Sequence, residues 1–362
     1  MEKYGSNRVL HYYGKYYTTA ASESVNPAFI SVSAKPYAFM PAEIEEIIAH
    51  YLRIIKDPEI KVIIISNSVN IAEICKEVKK ARPDILLIGI SPYDDPDRIS
   101  MYANIIMQID ELDESHLIPQ QAKKLGANTL IYYSYKRHMA IPFLRECRDI
   151  MKEVCEEIGI EFIYAEAVDP ATEGIYEAQQ FIEEDFPGKI EEHGQDTAFT
   201  TSSTALQISL IKSVIEQQAI MSMQTYHTYW YTICKAFDLE ALKDKENDMQ
   251  WLNEQINRYF AENKSDELTV NSEKIGKEVI PSYTSRLFSW PVSTTMLMGS
   301  AAVEYGMAYI EGQVGLELDE EVLQKCLQNA MQIYGYGNYK AYMTKHEDFD
   351  NYFLITEDFI VF

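Results

Sequence analysis

Arg137 and His138 follow directly on the aromatic run TLIYYSY, and of all the residues here they are best suited to chemistry. A guanidinium held flat by an aromatic neighbour such as Tyr135 keeps its planar fork free for a carboxylate, a phosphate or another polar group. The imidazole beside it titrates near neutrality. Short polar residues close the other apolar runs as well: Ser66, Asn67 and Ser68; Ser91 and Tyr93; Asp110; Ser134; Asp169 and Thr172; Thr200, Thr201, Ser202 and Ser203; Gln224, Thr225 and Tyr226. Hydroxyls and amides both donate and accept, so the set suits holding a polar solute better than breaking a bond. Any single Ser, Thr or Asn in such a place commonly caps the helix that follows. Recurrence in both halves of the chain is what capping alone leaves unexplained.

Other chemistries lack their parts. There is no GxxxxGK[ST] phosphate loop, no GxGxxG turn after an apolar run, no HExxH and no GxSxG. Asp94, Asp95 and Asp97 are too closely spaced for a calcium loop and sit among prolines, which predicts helix capping. Asp110, Glu111, Asp113 and Glu114 read as a solvated face. The five cysteines, Cys75, Cys147, Cys155, Cys234 and Cys326, are scattered and never spaced as CxxC, so they read as small core residues. No metal, no cofactor and no catalysis are expected.

These residues need elements to hold them. From residue 60 onward, apolar runs alternate with amphipathic stretches, which is the rhythm of βαβ units in a doubly wound, parallel α/β sheet. KVIIISNS reads as a buried strand, followed by a helix with Ile71, Ile74, Cys75 and Val78 on one face. DILLIGIS and NIIMQID are the next strands, with Asp95 and Pro96 at the N-cap and first position of the helix between them. The alternation restarts after Asp110 with strands TLIYYSY, EFIYAEA, DTAFTTSS and AIMSMQT, and with helices over about 141–158, 173–187 and 203–217. SRLFSWPV reads as an extended crossing that carries Trp290 into a small-residue helix, and NYFLITEDFIVF as a terminal hairpin. Two lobes are therefore expected, residues 1–111 with 290–362 and residues 112–289. Ligands of open α/β sheets bind beyond the carboxyl ends of the strands. That places the expected ligand contacts at Ser66, Asn67, Ser91, Asp110, Ser134, Tyr135, Arg137, His138, Asp169, Thr201, Ser202, Gln224 and Trp290.

A formal charge of -24, from 32 basic and 56 acidic residues, opposes binding to nucleic acid or anionic lipid. No apolar run is long enough to span a bilayer, so direct membrane insertion is not expected.

KVIIISNS, RPDILLIGISPYDDP, IYYSYKRHM, RDIMKEVCEEIGIEFIYAEAVDP, AQQFIEEDFP, DTAFTTSSTALQISLIKSVIE and SRLFSWPV together resemble an uncharacterised family of bacterial periplasmic-binding-protein-like proteins, often lipoproteins. The resemblance covers residues from about 60 to 310. It implies a type 1 periplasmic-binding fold of two Rossmann-like lobes with a ligand in the cleft between them, and it brings no ligand identity and no catalytic residues. The sequence departs from the pattern at its start, where MEKYGSNRVLHYYGKYY resembles the end of a first helix and a second strand. The opening strand is then absent, replaced by FISVSA, or outside this sequence. Lys136 stands where the pattern has proline, which opens the Arg137 loop to another shape.

The function so implied is binding of a small polar molecule, as a solute-binding or sensory protein read by a membrane transporter or a signalling partner. Its location is extracytoplasmic if a leader precedes the sequence, and cytoplasmic otherwise. The alternatives are a regulator's effector domain without its DNA-binding head, or a hydrolase or transferase working in the same cleft.

Overall fold

The computed structural model describes residues 8–12, 29–31, 41–66, 70–221, 229–239, 249–262, 286 and 288–361. Asn67 and Gln224, with Ser68, Thr225 and Tyr226, lie outside the described residues. The chain forms two compact units, Met1–Asp110 with Thr294–Glu357, and Glu111–Ser293 with Asp358–Phe362. The chain therefore passes from one unit to the other three times, at 110/111, 293/294 and 357/358.

In the first unit, the strands β1 (Arg8–Tyr12), β2 (Phe29–Ser31), β3 (Ile60–Ser66), β4 (Leu86–Ile90), β5 (Ile105–Ile109), β11 (Ala341–Lys345) and β12 (Tyr352–Glu357) form one sheet in the order β11-β12-β5-β4-β3-β1-β2. All pairs are parallel except β11 with β12. IKVIIIS and LLIGI are buried almost throughout because helices cover the sheet, and such strands read as continuous apolar runs. Helix α1 (Pro41–Ile54) and helix α2 (Ile71–Ala81) contribute to its core, α2 through the predicted stripe Ile71, Ile74, Cys75 and Val78. Helix α3 (Pro96–Ser100) starts as read: Asp95 accepts from the Asp97 N–H at 3.0 Å, and Pro96 leads the helix.

The second unit is built on a parallel four-stranded sheet of β6 (Thr129–Ser134), β7 (Glu161–Glu166), β8 (Thr197–Thr201) and β9 (Ile220–Met221), in the order β7-β6-β8-β9. Its helices include α4 (Glu111–Lys124), the single turn α5 (Lys136–Met139), α6 (Pro142–Ile158), α7 (Ile175–His193), α8 (Thr204–Gln217), α9 (Tyr229–Ala236) and α10 (Met249–Glu262). In α6, Pro142 leads and Gly159 ends the helix at φ 70°, while Cys147, Met151, Val154 and Cys155 face the core. The helix α7 runs on past Pro187 to His193, beyond the expected end near residue 187.

Trp290 is 5% exposed within the apolar cluster of this unit and stacks on Phe359 at 4.3 Å. It follows β10 (Phe288–Ser289) and precedes α11 (Thr294–Ile310), a helix of small residues belonging to the first unit. Helix α12 (Glu320–Ile333) starts from the N-cap Asp319.

The tail is not a hairpin. β12 enters the first unit's sheet between β11 and β5, whereas β13 (Ile360–Val361) pairs with β10 in the second unit. Alternation correctly marks extended chain, but the partners lie far away in sequence. Among the described residues no helix is long and apolar enough to cross a membrane.

Two doubly wound parallel units joined by three passages of chain make up the type 1 periplasmic-binding-protein fold.

Candidate functional site

In the second unit the chain lays β7 on one side of β6 and then returns to lay β8 on the other. The strand order reverses between β6 and β8, and loops leaving such a pair diverge to open a crevice at its carboxyl edge. The residues that leave these two strands form a linked cluster of polar side chains.

Register brings them together. Tyr133 is opposite Thr201, and the Ser202 N–H donates to the Tyr133 carbonyl at 3.1 Å. One residue further on, Ser134 Oγ and Ser202 Oγ lie 2.6 Å apart. His138 Nδ1 is 2.9 Å from Ser202 Oγ, and its Nε2 is 2.8 Å from the Tyr135 hydroxyl. Tyr135 donates in turn to Ser203 Oγ at 3.2 Å, and the imidazole packs against the phenol with centroids 4.1 Å apart. In the tautomer protonated at Nε2, the Tyr135 oxygen accepts from Nε2–H and Nδ1 accepts from Ser202, and a hydrogen bond to the Ser202 backbone favours the protonated ring. The result is one continuous chain, Ser134–Ser202–His138–Tyr135–Ser203.

Arg137 lies at its rim. Its Nε and Nη2 donate to the two carboxylate oxygens of Asp169 at 2.8 and 2.9 Å, and its Cζ sits 5.1 Å from the Tyr135 ring centroid. The aromatic neighbour does hold the guanidinium, but the fork is filled by a carboxylate of the same unit. Asp169 also accepts from the Ala171 N–H at 2.9 Å, which fixes it from the β7 side. Lys136 is the first residue of the α5 turn, a position that proline suits, and it pairs with Glu166 at 3.1 Å.

The cluster carries little net charge. Hydrogen bonding from Arg137 holds the Asp169 carboxyl below its ordinary range, so both members of this pair are charged and cancel. Burial, with the Arg137 charge adding to it, pushes the His138 pKa below the usual 6.5, so the imidazole is neutral at pH 7. Burial raises the Tyr135 phenol.

Capping does not account for the serines. Ser203 is the N-cap residue of α8, but its side chain makes no cap bond there. Its hydroxyl is given to Tyr135 instead. Thr201 Oγ1 accepts from the Ser203 N–H at 3.1 Å. Ser203 was marked by its strand-end position, yet only the fold shows that it belongs to the cluster.

The remaining residues lie elsewhere. Ser66 ends β3 fully buried, and Ser91 follows β4 in a left-handed conformation at φ 44°, 5% exposed. Asp110 ends the β5 segment, its N–H donating to the Ile355 carbonyl at 3.1 Å. All three belong to the first unit, and Trp290 to the second unit's apolar core. In the first unit, Asp94 accepts from the N–H groups of Ile71 and Ala72 at 2.9 and 3.2 Å. A carboxylate thus already occupies the N-terminus of α2, where an anion would otherwise dock. Among the described residues no cluster of His, Cys, Asp and Glu is arranged to hold a metal.

Comparison with known proteins agrees with this architecture. A solved structure of a proposed transcriptional regulator from Clostridium difficile 630 superposes over 98% of this chain and 99% of its own, with a TM-score of 0.78 at 15% identity. An uncharacterized protein of Treponema pallidum (strain Nichols) is 29% identical over 181 residues, 49% of this chain and 83% of its own length. A second from the same organism is 36% identical over 128 residues, 35% of this chain and 58% of its own. The chain belongs to the family described as "Protein of unknown function (DUF3798)", whose model matches residues 3–268.

Proposed function

We propose that this protein binds a small, polar, uncharged solute at the carboxyl edge of β6 and β8, and that it does so without turning the solute over. The observation that supports this most is the position of the hydroxyl–imidazole chain at the point where the strand order reverses. Hydroxyl groups that can donate or accept match alcohol or amide groups on a ligand. The Arg137–Asp169 pair offers a donor and an acceptor side by side with no net charge, which favours neutral solutes over anions. In the first unit, Ser66, Ser91 and Asp110 are proposed as polar contacts at its own strand ends, as sequence position suggests. A transporter or a signalling partner would read the liganded form. The resemblance to proteins often found as lipoproteins favours an extracytoplasmic location.

The test is mass spectrometry of small molecules released on denaturing freshly purified protein, followed by thermal shift with each compound found. A neutral polar compound that raises the melting temperature in the native protein, and not in Arg137→Ala, is the expected result. Stabilisation of about 2.7 kcal/mol is expected at a hundredfold excess over Kd. Anionic compounds alone, or a shift unchanged in Arg137→Ala, would refute the reading.

A further inference from the structure

We propose that Ser202 is an acyl-accepting nucleophile, with His138 as its base and Tyr135 as the residue that positions the imidazole. The hydroxyl–base distance is 2.9 Å, and the base is oriented by a third group at 2.8 Å, which is the geometry by which an activated hydroxyl is recognised. The proposed step uses the tautomer protonated at Nε2, in which the Tyr135 oxygen accepts from Nε2–H and Nδ1 faces Ser202 Oγ. Arg137, the nearest fixed cation, is balanced by Asp169, and Lys136 by Glu166, so the imidazole is the one base facing Ser202 among the described contacts. Ser202 sits at the junction of β8 and α8 and keeps 7% of its surface exposed. Ser203, the N-cap residue of α8, makes no side-chain cap bond, and although the Leu206 N–H donates to the Ser203 carbonyl at 3.2 Å, the Thr204 and Ala205 N–H groups of the first turn are the donors proposed for a developing oxyanion.

The step is stoichiometric. Ser202 Oγ bonds to the carbonyl carbon of an activated ester while its proton passes to His138 Nδ1. The carbonyl π electrons return, the bond to the leaving oxygen breaks, and the alcohol or phenolate departs. His138 then returns its proton to solvent, or to the leaving group, and an acyl-serine remains. This proposal stands on geometry and does not depend on which solute occupies the site. Its failure would leave the binding proposal to be judged by the released solute.

The probe is p-nitrophenyl acetate, with acetylation located by peptide mass mapping on the full chain. Expected are acetyl transfer to Ser202, its loss in Ser202→Ala, and a fall of about a hundredfold or more in rate in His138→Gln. Tyr135→Phe, acting only through the imidazole, should lower the rate and shift its pH midpoint. Ser300→Ala, in the other unit, should leave it unchanged. In the native protein the rate should fall on acidification as His138 gains a proton, a readout that needs no variant to fold. Absence of Ser202 acetylation in the native protein, an unchanged rate in His138→Gln, or a flat pH profile would overturn the proposal.

Discussion

Tyr135→Phe removes one oxygen and leaves the ring, so its effect on stability measures the hydrogen-bond chain with almost no change in packing. Tyr135 is 3% exposed, and its oxygen serves His138 Nε2 at 2.8 Å, Ser203 Oγ at 3.2 Å and, more distantly, Arg137 at 3.4 Å. Arg137 is exposed, so water replaces that contact. His138 is half-buried, and the net loss of its neutral bond is about 0.5–1.5 kcal/mol. Ser203 is 5% exposed, and stranding its hydroxyl costs about 1–3 kcal/mol unless it turns to cap α8 and offsets part of the loss. The expected cost is therefore about 1–3 kcal/mol. Hydrogen exchange across β6 and β8 is the suitable assay, because a chain of two compact units need not unfold in one step. Tyr176→Phe, at a ring 72% exposed, should change stability by less than about 0.5 kcal/mol. A Tyr135→Phe cost as small as that control, or no coupling between Tyr135→Phe and Ser203→Ala in a double-mutant cycle, would refute the chain as described.

Other perturbations follow from the same structure. Because burial lowers the folded pKa of His138, the unfolded chain takes up the proton first: stability should fall as pH drops through about 6.5 and stop falling below the folded pKa. The difference between native protein and His138→Gln, read from melting temperature against pH, should show that slope. Asp94→Ala should cost about 1–2 kcal/mol by stranding the N–H groups of Ile71 and Ala72, whereas Asp94→Asn keeps an acceptor and should cost less in urea unfolding. In α11, a Cβ at Gly306 would lie 3.0 Å from Val62 Cγ1, so Gly306→Ala should lower the melting temperature, and Val62→Ala should reduce the difference.

The sequence made the strands and their polar ends legible because period and composition are local properties. Each of TLIYYSY and DTAFTTSS could be read as a buried strand with hydroxyls past its end. Strand order is not local. Nothing in the residues between 134 and 197 states that β8 returns to the far side of β6, and that return is what makes a site of Ser134 and Ser202. The Asp94 reading shows the same limit: capping was the right role, but the helix it serves begins 23 residues earlier. The third expected helix was read to end near residue 187, whereas α7 continues to His193 past Pro187, with Phe186 and Ile182 fully buried, so packing outweighs the lost backbone bond.

Arg137 and Asp169 carry this reasoning furthest into function. Arg137 alone suggested a carboxylate, a phosphate or another polar group, and an unoccupied fork would have argued for an anionic ligand. Thirty-two residues apart, they instead satisfy each other in a two-point contact on the surface beside Tyr135. An exposed pair of this kind contributes little to folding, about 0–1 kcal/mol, because both groups are well solvated when apart. On the proposed function, its fixed geometry serves the solute that approaches it. A solute with adjacent donor and acceptor groups can add to the pair without separating it, whereas an anion would first have to displace Asp169. Asp169→Asn separates these cases, since it frees a net positive charge while nearly preserving shape. It should weaken a neutral solute and strengthen an anion, and calorimetry showing the neutral solute unaffected would remove the pair from the site.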